Sequence, residues 1–278
     1  MDIQRAFLNA EKNYQKNLEQ FTAEVFSGIF LPSHGLEHHR RVWLNAVEIA
    51  SESDLSGVED LYKFAGKLII ACYLHDTGMA YDRGERHGIK SVELCRRYLE
   101  KHGLPGNEYE DMLEAIEKHD YKEVQAGSNN NLLGLILNTA DDLDAFGFAG
   151  IYRYIEIYLE RDIPLKILGE KILGNASGRF ENFKKSYGSK AHLFNRHLER
   201  FRIVEDFCNN YIKESERYRF GTGKPQGYCG IAEVISIMLQ NHLNPVHGLD
   251  QSNITKNIDD SVIRWYFTEL KKDSCNIP

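Results

Sequence analysis

The apolar run Leu68-Ile-Ile-Ala-Cys-Tyr-Leu ends abruptly in His75-Asp76, an imidazole beside a carboxylate. Burying two such groups is costly unless something pairs with them, and a metal ion does so. The chain supplies further donors of the same kind: His38 upstream, and His87, His119 and Asp141 downstream. His38, His75, Asp76 and Asp141 make a borderline-hard nitrogen and oxygen set. Such a set suits Mn²⁺, Mg²⁺, Fe²⁺, Co²⁺, Ni²⁺ or Zn²⁺, and ligand type alone does not choose among them. Four protein ligands leave positions open on a six-coordinate ion, so the chemistry to expect is hydrolysis by metal-activated water.

Donors scattered over a hundred residues need a scaffold that returns them to one point. Helical periodicity dominates the chain, and clean alternating strands are absent. Helices are expected over residues 2–27, 35–52, 58–75, 88–102, 107–119, 130–145, 149–161, 190–217, 230–241 and 258–272. His38 lies four residues before Val42 and eight before Ala46, so it shares their inward face, with His34 one turn earlier. His119 follows Ile116 by three and Met112 by seven, and Asp141 follows Leu137 by four. Four helices thus each aim a donor inward, as helix bundles do when they build metal sites. The expected fold is an all-α helical bundle over residues 1–217, followed by a smaller helical extension over 218–278. The connecting stretch Gly221-Thr-Gly-Lys-Pro-Gln-Gly227 is glycine-rich but lacks the GxxxxGK[ST] spacing of a phosphate loop.

Composition narrows the partners. At 278 residues the chain buries a sizeable core. Its net charge of −7 gives no global basic field for nucleic acid, so none is expected as a partner. A small anionic substrate stays compatible with that sign, because local Arg and Lys residues can hold it. Five cysteines, odd in number and without CxxC spacing, argue against a disulfide framework or a thiolate zinc site. The run from Leu68 to Leu74 is far too short to span a bilayer, so no membrane is expected. Met1-Asp-Ile-Gln-Arg-Ala-Phe7 lacks the features of a signal peptide, and a cytoplasmic address is expected. A homo-oligomer is left open.

A histidine, then His-Asp, then a distant Asp in a helical chain resembles the HD-domain metal-dependent phosphohydrolases. The likeness is closest to their small stand-alone bacterial branch. It rests on His34-x-x-x-His38-x-x-Arg41-Val42-Trp43, on Ala115-Ile-Glu-Lys-His119, and on Ala140-Asp-Asp-Leu-Asp-Ala-Phe-Gly147 with Gly150-Ile-Tyr-Arg153. It covers roughly residues 30–160 and departs from the branch at Gly35 and Thr139, where acidic residues are usual.

The resemblance implies a hydrolase that cleaves a phosphate ester or anhydride of a nucleotide or related phosphorylated metabolite. It implies one divalent ion on His38, His75, Asp76 and Asp141. His87 and His119 either extend the site to a second ion, with Asp76 bridging, or contact substrate phosphate and shuttle protons. His87-Gly-Ile-Lys-Ser91 is similar to the dinuclear members. Phosphate needs cationic partners, and Arg83, Arg86, Lys118 and Arg153 are the candidates, each also readable as a solvated surface charge. Asp144 is read as orienting a ligand or accepting a proton. Two other functions stay open: an HD-fold di-iron oxygenase acting on a small substrate, and a nucleotide-binding regulator.

Overall fold

The computed structural model describes residues 2–84, 86–120, 131–244, 246 and 258–275. All regular secondary structure among the described residues is helical. The chain divides into two compact units, residues 1–141 and 142–278.

In the first unit, α1 (Ile3–Ala10) runs through a π-helical stretch (Glu11–Gln15) into α2 (Lys16–Val25). There follow α3 (Leu36–Glu52), α4 (Leu61–Leu74), α5 (His87–Lys101), α6 (Glu110–Lys118) and α7 (Leu132–Asp144), whose last three residues belong to the second unit. Helix α4 is the axis of this unit. Asp60 caps it by accepting from the backbone N–H groups of Tyr62 (2.9 Å) and Lys63 (3.0 Å). Every residue from Leu68 to Leu74 is buried, because α1, α2, α3 and α6 all pack on α4. A helical run apolar on all sides, as residues 68–74 are, has to lie inside. Its C-terminal end therefore delivers His75-Asp76 into the interior. Trp43 and Ile49 of α3 join Leu68, Ile69 and Ile70 in the core. The Asn45 side chain donates to the Ala140 carbonyl (3.0 Å), tying α3 to α7 one residue before Asp141.

The second unit holds α8 (Gly147–Glu160), α9 (Leu168–Tyr187), α10 (Ala191–Ser215), α11 (Gly227–Gln240) and α12 (Ser261–Cys275). Its core is aromatic, with Phe180 stacked on Phe201 at 4.4 Å and Phe146 edge-on to both. The Arg200 guanidinium donates to the carbonyls of Leu143 (3.1 Å) and Phe146 (3.0 Å), closing the end of α7.

The sequence reading placed no helix between residues 161 and 190, and α9 corrects it. Gly169, Gly174, Asn175, Ser177 and Gly178 lower its intrinsic helix propensity. Yet Leu168, Ile172, Ala176, Phe180, Phe183 and Tyr187 recur at three- and four-residue steps and are buried. Packing against α10 overrides propensity here.

One tryptophan lies in each unit, Trp43 and Trp265. In a Trp265→Phe background Trp43 fluorescence reports the first unit alone. Leu68→Ala is expected to lower its stability by about 2–5 kcal/mol in urea titrations with an unchanged m-value. A loss below about 1 kcal/mol would contradict the central place given to α4.

Candidate metal centre

Each expected donor sits where one element stops or starts. His38 lies in the first turn of α3, and His75 is the C-cap of α4 with Asp76 next to it. His87 opens α5, His119 is the C-cap of α6, and Asp141 lies in the last turn of α7. The first unit brings all six together. His38, His75, Asp76 and His119 are buried, His87 is 5% exposed, and the Asp141 side chain is 13% exposed.

Asp76 organises the group. Its Oδ2 lies 3.3 Å from His38 Nε2 and 3.4 Å from His75 Nε2. Both of those nitrogens are also 3.7 Å from Asp141 Oδ1. The other oxygen, Oδ1, lies 2.9 Å from His119 Nε2 and 3.5 Å from His87 Nε2. One carboxylate thus stands between two imidazole pairs, and the donors fall into two sets: His38, His75, Asp76 and Asp141, and Asp76, His87 and His119.

Hydrogen bonds fix which nitrogens face inward. The Nδ1 of His75 faces the Cys72 carbonyl (3.0 Å), that of His87 the Gly84 carbonyl (2.6 Å), and that of His119 the Ile116 carbonyl (2.7 Å). A carbonyl only accepts, so each Nδ1 carries the proton and each neutral ring turns an Nε2 lone pair to the centre. Within each pair the two Nε2 atoms are 3.3 Å apart. Two lone pairs at that distance repel unless a cation or proton lies between them. Two nitrogens each about 2.1 Å from one ion stand about 3.0–3.4 Å apart at bond angles between octahedral and tetrahedral. The buried cluster therefore fits divalent metal binding.

Without a cation the same groups share protons. Burial favours the neutral His75 ring, but the Asp76 and Asp141 carboxylates outweigh it and raise its pKa to about 10. Burial likewise opposes the proton on His119, and Asp76 overcomes it, so that pKa is raised as well. Burial pushes the Asp76 carboxyl upward, but His75, His119 and His38 together hold it well below the usual carboxylate range.

Two further imidazoles belong to this region. His34, in the short turn Pro32–His34, has Nε2 3.9 Å from Asp76 Oδ2 and Nδ1 2.7 Å from Ser33 Oγ. His39 is wholly buried behind the pair, with Nδ1 3.3 Å from the same Cys72 carbonyl that holds His75. Burial keeps its pKa well below the usual histidine range. Sequence reasoning placed His34 on the inward face but did not single out His39. Its only signal there was adjacency to His38.

The cationic candidates are more dispersed. Arg83 is half-buried and donates to the Phe30 carbonyl (3.3 Å), and Arg86 is exposed immediately before His87. Lys118 pairs with Glu114 at 2.6 Å on the surface of α6. Arg153 lies in the second unit, buried against Asp144 at 3.0 Å. That pair occupies Asp144, which is itself fully buried.

Residues 35–145 match the family model of the HD domain, a span that encloses all six donors. No curated protein and no solved structure matches the chain significantly. Residues 35–145 are thus similar to the HD domain, a family whose members are in general metal-dependent phosphohydrolases. No helix among the described residues is long and apolar enough to cross a membrane.

The His75 pKa is raised to about 10, so at pH 7 the metal-free protein holds a proton on a ring whose nitrogen a cation needs, and the His119 pKa is raised as well. Cation affinity is therefore expected to rise with pH, and binding at pH 7 to release protons. Calorimetric titration with Mn²⁺ in buffers of different ionisation enthalpy should show release of at least one proton per chain. Binding with no proton exchange between pH 6 and pH 8 would contradict the engagement of these nitrogens.

Proposed function

We propose that this HD-domain chain hydrolyses a phosphate ester or anhydride of a nucleotide or related phosphorylated metabolite at the Asp76 centre. The observation that carries the reading is the single buried carboxylate between two imidazole pairs. His38, His75, Asp76 and Asp141 would hold one divalent ion, and Asp76, His87 and His119 a second. Bound there, such ions supply Lewis acidity toward water and toward a phosphoryl oxygen.

The remaining work falls to the chain. Cys72, Gly84 and Ile116 lend their carbonyls to hold three imidazoles with Nε2 inward, so no ring has to turn during a catalytic cycle. Burial of the donors keeps bulk water from competing with them. Of the five imidazoles with a nitrogen within 4.0 Å of Asp76, His34 stands furthest, at 3.9 Å, which suits it to hold a phosphoryl oxygen or move a proton. Arg83 and Arg86, in the stretch between His75-Asp76 and His87, are the first choice for contacting phosphate. Lys118 and Arg153 would have to exchange Glu114 and Asp144 for substrate, and Arg83 its bond to the Phe30 carbonyl.

The test is a panel of nucleoside mono- and triphosphates and simple phosphoesters. Protein stripped with chelator and reloaded with Mn²⁺, Mg²⁺, Fe²⁺, Co²⁺, Ni²⁺ or Zn²⁺ is assayed for phosphate or pyrophosphate release under anaerobic conditions. Metal-stimulated release is expected. Freshly purified protein free of divalent metal, with no stimulated release, would end the proposal. Bound iron with turnover only in oxygen would replace it by a di-iron oxygenase.

Loss of a partner that merely orients a metal ligand costs about 10- to 100-fold. Asp76 touches both pairs directly, so Asp76→Asn is expected to lower kcat/KM by more than about 100-fold. Arg83→Ala should instead raise KM with a smaller change in kcat. A kcat/KM within tenfold of the unaltered protein for Asp76→Asn would count against the assignment.

A further inference from the structure

We infer that Gly88 sets how many ions the centre takes up, because it alone allows the turn carrying His87 to close on the turn carrying His119. This rests on the metal-dependent reading above and adds a positioning residue to it.

Gly88 follows His87 in the first turn of α5 and is buried. A Cβ built on it would stand 2.5 Å from the Glu117 carbonyl oxygen, 3.3 Å from its carbon and 3.4 Å from the Ile116 carbonyl oxygen. These are backbone atoms in the last turn of α6, and they cannot swing aside as a side chain would. The Ile116 carbonyl is also the acceptor that orients the His119 ring. Any side chain at position 88 thus presses on the peptide groups that aim His119.

On its other flank the same turn of α5 sits against Gly78, two residues after Asp76. The Gly78 N–H donates to Ser91 Oγ (2.8 Å), and a Cβ on Gly78 would lie 2.0 Å from the His87 carbonyl oxygen. The start of α5 is therefore wedged between the His-Asp turn and the end of α6. Two glycines make room for it.

Magnitudes decide the consequence. Real Cβ atoms essentially never come within 3.0 Å of such an oxygen. A methyl group at position 88 must therefore part the two turns by at least about 0.5 Å, whereas metal–ligand distances tolerate only about ±0.2 Å. The parting falls between His87 and His119. It does not fall between His38 on α3, His75 on α4 and Asp141 on α7, which are held by the packing of α3 on α4 and by the Asn45 bond to Ala140. Gly88→Ala should therefore dismantle one half of the centre and spare the other. A substitution at Gly78 would disturb both, since that residue adjoins Asp76.

The experiment measures ion content rather than turnover. Wild-type, Gly88→Ala and Ser91→Ala proteins are dialysed against graded free Mn²⁺, and bound metal per chain is read by mass spectrometry, with circular dichroism to confirm folding. Wild type is expected to hold two ions. Gly88→Ala should keep the first within about threefold of its normal affinity and weaken the second by about 100-fold, a supporting-residue loss at the upper end of the usual range. Ser91→Ala removes only the Gly78 tether and should weaken the second ion by about tenfold; it carries the test if Gly88→Ala does not fold.

Two ions of normal affinity in whichever of these variants folds would overturn the inference, as would loss of both ions together from a folded variant. A single ion in wild type would also overturn it while leaving the hydrolase reading standing. No ion in wild type would remove both.

Discussion

The structure turns on the cost of keeping the Asp76 carboxylate charged and 4% exposed. Taking an ion of that size out of water costs several kcal/mol even after the protein relaxes. The fold meets that cost by surrounding both oxygens with imidazole nitrogens, two pairs within 3.5 Å and His34 beyond them. An imidazole offsets a carboxylate only as a proton carrier or as a fellow ligand to a cation. Either way positive charge must enter the cluster, and its amount varies with pH and with free metal.

How those imidazoles are aimed follows from an ordinary difficulty of helix ends. The last carbonyls of a helix lack intrahelical partners. In α4 and α6 one such carbonyl is taken by the Nδ1–H of the histidine at the C-cap, Cys72 by His75 and Ile116 by His119. Each bond closes a helix terminus and fixes a tautomer at once. It also strengthens the ring as a donor, since a proton held on a carbonyl leaves the opposite nitrogen more basic. The Cys72 carbonyl has a second lone pair, and His39 approaches it at 3.3 Å. The histidine behind the centre thus shares an acceptor with a histidine inside it.

Much of the centre was legible because its residues obey two rules at once. His38 and His119 fall on helix faces otherwise apolar, and His75-Asp76 ends a run with no polar face at all, so each violates the burial expected of its type. Several such violations in one chain make sense only if they meet. The glycines that let α5 approach were less legible. Gly88 reads in sequence as a helix weakness, and only the 2.5 Å distance to Glu117 shows what it permits. Helix α9 was hidden for a related reason, since its glycines mask a buried stripe that packing with α10 reveals. For Arg83, Arg86, Lys118 and Arg153 residue type gave charge but not direction. Lys118 and Arg153 are held by the carboxylates of Glu114 and Asp144.

An acidic chain with an anionic substrate, as the proposed reading has it, looks contradictory until charge is counted locally. The net charge of −7 is a sum over the whole sequence. Screening in salt of physiological strength confines exposed charges to about 8 Å, so a buried centre responds mainly to its own members. Those members are two carboxylates and several imidazoles, which are neutral as ligands. Under the proposed reading, two divalent ions bring four positive charges against two negative ones. The centre then becomes cationic while the surface stays acidic. With a single ion the charges only balance, and attraction for phosphate would fall to Arg83 and Arg86. On that reading ion number would bear on substrate charge as well as on chemistry, and the close approach at Gly88 on both.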